Sequence, residues 1–547
     1  MVGAFRLPSS STTAPPVGPT ATPWVRPADW LTMPTIGAQE VIGLLAIYED
    51  TNYIAVQCAG ATVGGYTVDW GDGTVTNYVS NTIASKTYDF SSIPAGTTTS
   101  KGYRQVIVRI TPQSGQNLTS VGFNVQHPSL AKPYTTGWLD IEIKMPLGTP
   151  VFNGHTNIVR YHRIERVVIT DMIANSLIGN MFNQMTNLRV AYLDPTRAWL
   201  NTNLTGTFTN CYSLEEAPMI NTINTINFNA MFQNCYNLKV VPQYNMQNAT
   251  SMAGMFSTCR SLESVPLFNI GSGPNINMST MFEFCSDLKT VPLLNTSAAN
   301  TTNSMFANCL SLQSIPLLDI GNSLNTGGMF SGCASLSSVP LLNTSKSTNF
   351  NSMFASCQSL VTIPLLNTAK SLTFNSMFSS CQGLQTIPLI NTELSTDFIN
   401  MFFGCNSMEE LPLLNTGSAS TISSMFNGCV QLQAIPALNT SKVLNFANCF
   451  SGCLALREVP ALNMSAGTSF TTFLNNNVSI GRSAAFGARF AHSYTNMALS
   501  RPEIVNIFTN LGTASGSQAI TVSLNPGRAA LTAGEIAIAT GKGWTVV

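Results

Sequence analysis

The chain has 547 residues, too many for one ordinary hydrophobic core. Apolar residues make up 44%, so a folded protein is expected, but charged residues reach only 9%, against about 25% in an average soluble domain. The formal net charge is zero, which argues against nucleic acid as the main partner, because counterion release needs clustered lysine and arginine. The surface is therefore expected to be covered by Asn, Ser, Thr and Gly, as suits proteins outside cells, on virions or facing carbohydrate.

No run of about 18 apolar residues appears, so neither a transmembrane helix nor membrane insertion is expected. Residues 1–36 are rich in Pro, Ser and Thr and lack the basic start and apolar core of a secretory signal. They read either as a linker or as a docking arm that orders on a partner, with Trp24 and Trp30 as its anchors.

Residues 37–115 alternate like strands, as in Tyr53-Ile-Ala-Val-Gln57 and Tyr103-Arg-Gln-Val-Ile-Val-Arg-Ile110, with turn clusters between them. The stretch Tyr66-Thr-Val-Asp-Trp-Gly-Asp-Gly-Thr74, followed by Lys86-Thr-Tyr-Asp-Phe90, resembles the polycystic-kidney-disease (PKD) β-sandwich family over about 70 residues. The resemblance implies an immunoglobulin-like all-β sandwich acting as a spacer or adhesion module. Asp69 and Asp72 are a candidate cation pair there, although turn carboxylates more often bond their own backbone. Residues 116–180 read as a junction and N-terminal cap, with strand-like pieces at 138–144 and 164–169.

From residue 181 to 475 the sequence repeats. Cysteine returns at Cys211, Cys235, Cys259, Cys285, Cys309, Cys333, Cys357, Cys381, Cys405, Cys429 and Cys453, with a step of 24 residues everywhere except 26 between Cys259 and Cys285. Each sits in Met-Phe-x-x-Cys-x-x-Leu-x-x-Ile/Val-Pro-Leu-Leu-Asn-Thr or a close variant. A fixed period of this size is the signature of a solenoid, in which each coil packs only on its neighbours. Around Cys333, Phe330 and Leu336 fall on one face of a short helical turn, and Val339 and Leu341, two apart in an extended segment, are expected to point together into the core. Proline at nearly every coil, from Pro218 to Pro460, limits that strand to about three residues, because proline cannot donate to a sheet ladder.

This order of residues resembles the BspA-like leucine-rich repeats, which recur in bacterial surface proteins and in tail or other virion proteins of bacteriophages. The expected architecture is an α/β solenoid, a right-handed leucine-rich-repeat-like coil with short parallel strands, preceded by the β-sandwich. Residues 476–547 are expected to close it as a C-terminal cap with a helix capped by Ser500 and a second helix over 531–539.

Metal binding by the cysteines would need clustered ligands at short spacing, and eleven thiols in file have no natural disulfide pairing. They read as buried reduced thiols, a structural ladder that suits folding in a reducing cytoplasm. The asparagines that recur ten residues after each cysteine except Cys309, where Asp319 stands, read as a structural ladder too. The fifth residue after the cysteine is less committed. It forms a stripe of Ser264, Thr290, Ser314, Ser338, Thr362 and Thr386, with Glu216, Glu410 and Glu458 toward the ends. These hydroxyls could bond glycans on a concave sheet, or be ordinary solvated strand residues.

No nucleophile elbow, zinc-protease motif or phosphate loop occurs, so no enzyme activity and no cofactor are expected. The combined expectation is a non-enzymatic bacteriophage virion structural protein, a tail fibre, adhesin or head decoration. It would join other virion proteins through its N-terminal arm, in several copies or as a homo-oligomer, and present the solenoid to a host glycan or protein. The alternatives are a secreted or cell-surface bacterial BspA-like adhesin, and a pure decoration or cement protein without a receptor.

Overall fold

A computed structural model describes residues 24–49, 52–60, 65–123, 125, 137–152, 163–172, 179–196 and 202–547. Two sheets form its N-terminal part. The larger contains β1 (Glu40–Ile47), β3 (Tyr66–Asp69), β4 (Val75–Tyr78), β6 (Arg104–Pro112), β8 (Trp138–Met145), β10 (Arg166–Met172) and β11 (Val190–Leu193) in the order β11-β10-β8-β1-β6-β3-β4. The smaller has the order β5-β2-β7-β9, with β2 at Tyr53–Gly60, β5 at Ile83–Thr87, β7 at Leu118–Gly122 and β9 at Thr149–Val151. Val41, Leu45 and Ile47 of β1 share one buried cluster with Ile54, Val56 and Cys58 of β2 and Val121 of β7.

The other face of β1 is covered as well, which explains its nearly unbroken apolar run. Leu44 and Ala46 pack with Trp30, Tyr103 and Leu139 in a second cluster. This corrects the expectation of a free docking arm. Trp30 is buried, its Nε1 donates to the Tyr103 hydroxyl at 2.8 Å, and Trp24 meets it edge-on with centroids 6.1 Å apart. Arg26 Nε donates to the buried Asp140 at 2.8 Å, and Gln105 Nε2 donates to the Asp29 carbonyl at 2.8 Å. The two tryptophans anchor the chain to itself; the part of the arm before Trp24 lies outside the described residues.

Strand pairing also runs through the expected boundary at residue 115. β7 pairs with β2 and β8 with β1, so the segment beyond 115 completes the sheets that the segment before it begins. β1 needs a partner on each edge, and β8 supplies the second. On the far side of β8 the pairing changes sense. β10 runs parallel to β8 and β11 parallel to β10, so the sheet leads directly into a parallel solenoid.

Each coil is built on a tight hydrogen-bonded turn rather than a helix; among the described residues the two α-helices both lie after residue 500. The turn needs two left-handed residues per coil. One immediately precedes the cysteine (Asn308, Gly332, Ser356), the other immediately precedes the methionine (Ser304, Gly328, Ser352). Glycine, asparagine and serine dominate these positions for that reason. The phenylalanines stack along the core, with Phe282, Phe306, Phe330, Phe354, Phe378 and Phe402 5.5–5.9 Å from centroid to centroid.

The parallel ladder lies elsewhere than expected. Single-residue parallel bridges run eight residues before each cysteine, as in Thr301 to Asn325 to Asn349 and Thr373 to Asp397 to Thr421 to Asn445. The segment after the cysteine is extended, yet it makes no ladder in the central coils; among the described residues it bridges toward the ends, at Glu216 with Val240, Asn245–Met246 with Asn269–Ile270, Glu458–Val459 with Arg482–Ser483 and Asn463 with Phe486. Proline at the seventh position removes a donor from every coil. The same segment holds a second correction. Val339 is buried, but Leu341 is 62% exposed and its neighbour Leu342 takes the inward place.

Asparagines at the turn accept from the backbone two residues on, as Asn343 Oδ1 does from Ser345 N at 3.2 Å and Asn415 Oδ1 from Gly417 N at 3.0 Å. They form local Asx turns, and some also reach the neighbouring coil, as Asn269 Nδ2 does in donating to Asn245 Oδ1 at 3.3 Å. The next residue joins the coils. Thr344, Thr368, Thr392 and Thr416 are buried and each hydroxyl donates to an asparagine carbonyl of the following coil at 2.7–2.9 Å.

The solenoid closes on α1 (Arg501–Asn510), α2 (Ala533–Thr540) and two parallel strands, Gln518–Thr521 and Trp544–Val546. Ser500 occupies the N-cap of α1, and Thr532 with Glu535 forms a capping box on α2. Four apolar terminal residues, Ile504, Ile507, Phe508 and Trp544, continue the core buried by the coils.

Candidate functional site

The face formed by the extended segments after each cysteine is the candidate site. Along one segment the pattern is exposed, exposed, buried, half-buried, exposed, buried, as in Ser337, Ser338, Val339, Pro340, Leu341 and Leu342. Val339 and Leu342 hold the segment to the core, and the hydroxyl and the first leucine are left outward. Stacking the coils turns this into two rows.

The first row is the predicted stripe. Thr290, Ser314, Ser338, Thr362 and Thr386 are exposed and Ser264 is half-buried. Among the described residues none of the six hydroxyls bonds another protein group, in contrast to the buried threonines of the turn. They are free to meet a ligand.

The second row is missing from the sequence reading. Leu267, Leu293, Leu317, Leu341, Leu365, Leu389 and Leu413 are all between 53% and 62% exposed. The signal was present in the Pro-Leu-Leu doublet, since adjacent residues of an extended chain point to opposite sides. One leucine of each doublet had to face solvent.

The face is uncharged over its centre. Between residues 297 and 392 the charged side chains are Asp319, Lys346 and Lys370, all outside both rows. Charge gathers instead toward the two ends, with Glu409 and Glu410 at the far one; on the first coils it is paired, Arg189 with Glu215 at 2.8 Å and Lys289 with Glu263 at 2.8 Å. Tyr212 and Tyr236 stack at 4.8 Å beside them, with Arg260 over the Tyr236 ring.

The cysteines do not contribute to this face. All eleven are buried, and burial pushes their thiols up, that of Cys333 to about 12. Each donates through Sγ to the carbonyl of a phenylalanine in the preceding coil, Cys309 to Phe282 and Cys357 to Phe330 at 3.1 Å. Where the file ends, Asn477 replaces cysteine and its Nδ2 donates to the Phe450 carbonyl at 2.6 Å. The position selects a buried donor.

The candidate cation pair is otherwise engaged. Asp69 accepts from Gly71 N at 3.0 Å, while Asp72 accepts from Thr74 N at 3.1 Å and pairs with Lys86 at 2.5 Å. Burial raises the Asp72 carboxyl, and the bonds from Lys86 and Thr74 outweigh this and hold it below its ordinary value. The two carboxylates brace the Trp70-Gly-Asp-Gly73 turn. Among the described residues no three His, Cys, Asp or Glu groups come together as a metal site, and no helix is long and apolar enough to cross a membrane.

A family model described as "Mycoplasma protein of unknown function, DUF285" matches residues 177–290, 202–338, 276–391 and 396–481, together more than half of the chain. The chain belongs to the DUF285 family. Its DUF285 repeats coincide with the leucine-rich-repeat-like coils, and the matches end close to where Asn477 ends the thiol file. No curated protein matches. Solved structures similar to the DUF285 chain include a plant peptide hormone receptor, RGFR1, in complex with RGF2, at 13% identity and a TM-score of 0.20, covering 69% of this chain and 58% of that one. A TLR13–ssRNA13 complex is 13% identical, with 67% and 57% covered and a TM-score of 0.20. The Drosophila Toll–Spatzle complex is 14% identical, with 69% and 57% covered and a TM-score of 0.18. The chain thus spans less than three fifths of each of those chains.

Proposed function

We propose that this DUF285 protein is a non-enzymatic structural protein of a bacteriophage particle, displayed on its surface, whose solenoid attaches to a host glycan or protein. The observation that carries the reading is the row of unbonded hydroxyls from Ser264 to Thr386 on an uncharged face. Hydroxyls at a regular spacing suit hydrogen bonding to a repeating, uncharged polymer, and the fixed coil spacing pre-orders them. The buried protonated thiols fit assembly in a reducing host cytosol followed by release.

The N-terminal sheets, a PKD-like sandwich on this reading, serve as the spacer and stand toward other virion proteins. The Trp70–Asp72 turn supports that resemblance: the Tyr88 hydroxyl donates to the Trp70 carbonyl at 2.8 Å, tying the motif to the strand that follows.

The test has two arms. Antibody labelling of purified particles reports location, and binding of the purified chain to host cells reports attachment. Ser338→Glu with Thr362→Glu is expected to reduce binding at least tenfold while the thermal melt is unchanged. Particles without the chain would overturn the virion reading. In that case the description of the matching family, which names Mycoplasma, favours the second reading, an adhesin on a bacterial cell surface. Particles that carry the chain without any cell binding would make it a decoration protein.

A further inference from the structure

The hydroxyl row accounts for half of the exposed face; the leucine row beside it is unexplained by attachment to a polar polymer. Seven consecutive coils each place a leucine more than half exposed, and the flanking coils break the row with Gln243 and Ala437. Scattered surface leucines are ordinary, but a continuous file of them marks an interface. Because Leu341 is three residues beyond Ser338 in an extended segment, the two rows lie about 10 Å apart. The leucines are next to the Asn343 turn, at the edge of the face.

We propose that the leucine row from Leu267 to Leu413 is the seam between two copies of this chain. Three properties favour a second copy over another occupant. The area is adequate: seven side chains exposing on the order of 100 Å² each offer roughly 700 Å², close to the roughly 800 Å² per partner of a standard protein interface. Over the central coils no charge opposes self-association, since neither row carries any there, and the whole chain has zero net charge; the leucine row itself is uncharged along its full length. The rungs also match, because a copy presents leucines at the same coil spacing and a two-fold axis sets row against row along the entire length. Pairing along this edge leaves both hydroxyl rows outside the seam, side by side, as one face of double width. The inference goes beyond the attachment reading and rests on different residues.

The experiment is a mass measurement on the full chain by light scattering at micromolar concentration. The expected mass is twice 58.6 kDa. Leu317→Glu with Leu365→Glu should return it to 58.6 kDa, whereas Leu372→Glu, at an exposed leucine of a different row, should leave it doubled. A wild-type monomer, or a double variant of unchanged mass, overturns the proposal. Because all thirteen cysteines are buried, a cysteine introduced at Leu317, Leu341 or Leu365 is the accessible thiol. A short bis-maleimide should join two copies at one or more of the three, and failure at all three also overturns the seam. Loss of host binding in Ser338→Glu with Thr362→Glu, together with a wild-type monomer, would keep the attachment reading and remove this one.

Discussion

The thiol of Cys333 donates to the carbonyl of Phe306, 3.1 Å away in the preceding coil. The Phe306 carbonyl already accepts from Cys309 N at 3.2 Å, and the thiol, a small apolar group with one hydrogen to give, fills its second lone pair without opening a cavity. Cys333→Ala should therefore cost about 0.5–1.5 kcal/mol, the net value of one hydrogen bond, and Cys333→Ser should cost less. Urea melts of the two variants check the order; equal costs would mean that the thiol acts by volume alone.

The stacked phenylalanines carry the core. Phe354 is fully buried between Phe330 and Phe378, so Phe354→Ala should cost roughly 3–5 kcal/mol. Ser338→Ala, on the exposed face, should stay within about 0.5 kcal/mol. A thermal melt in which Ser338→Ala is the more damaging would place the coil inside out.

Acid should loosen the C-terminal cap first. His492 lies among Phe470, Tyr494 and Trp544, and burial pulls its pKa down from 6.5 to about 4. The unfolded chain then binds the proton more readily than the folded one, so this contribution is complete above about pH 6.5 and declines as pH falls toward 4. The loss approaches about 3 kcal/mol below that point. Hydrogen-exchange protection at Gln518–Thr521 and Trp544–Val546, measured relative to the intrinsic exchange rate at each pH, should fall between pH 6.5 and 4, and His492→Phe should remove the change.

Trp30 ties the first described segment to the outer side of β1. Trp30→Ala should cost about 3 kcal/mol by truncation of a large buried ring and expose the Pro27–Leu31 segment to protease. Trp24→Ala, on the half-buried partner, should cost less. Limited proteolysis that cuts both variants equally would show the segment is not held by Trp30.

The solenoid was legible in the spacing of the cysteines because a coil must bury the same side chains each time round. The direction of single residues inside a coil was not. A two-residue rule places Leu341 inward with Val339, but the buried positions of this segment are three apart, so Leu342 fills the core and Leu341 faces out. The ladder eight residues before each cysteine is marked by a small polar residue in every coil, such as Thr301, Asn325 and Asp397, whose side chain accepts from the backbone two residues on; that signature reads as a turn, and the bridges themselves are made by backbone. The burial of Trp30 is not legible in the sequence, because a polar, proline-rich neighbourhood says nothing of the apolar face of β1 that covers it. The hydroxyl stripe was visible and the leucine row was not, since an exposed leucine looks like a core residue until its neighbour takes the inward place.

The coil with two additional residues shows what the repeat conserves. Cys285 stands 29 residues from Phe256 instead of 27, yet its thiol still reaches the Phe256 carbonyl at 3.1 Å. The surplus is absorbed in the Gly271–Asn275 bend, outside the core. Bonds between coils count turns of the spiral and ignore the number of residues in a bend. Removal or insertion of one whole 24-residue unit would therefore leave every thiol a carbonyl in the preceding coil. The length of the molecule could change in whole steps while both ends stay the same.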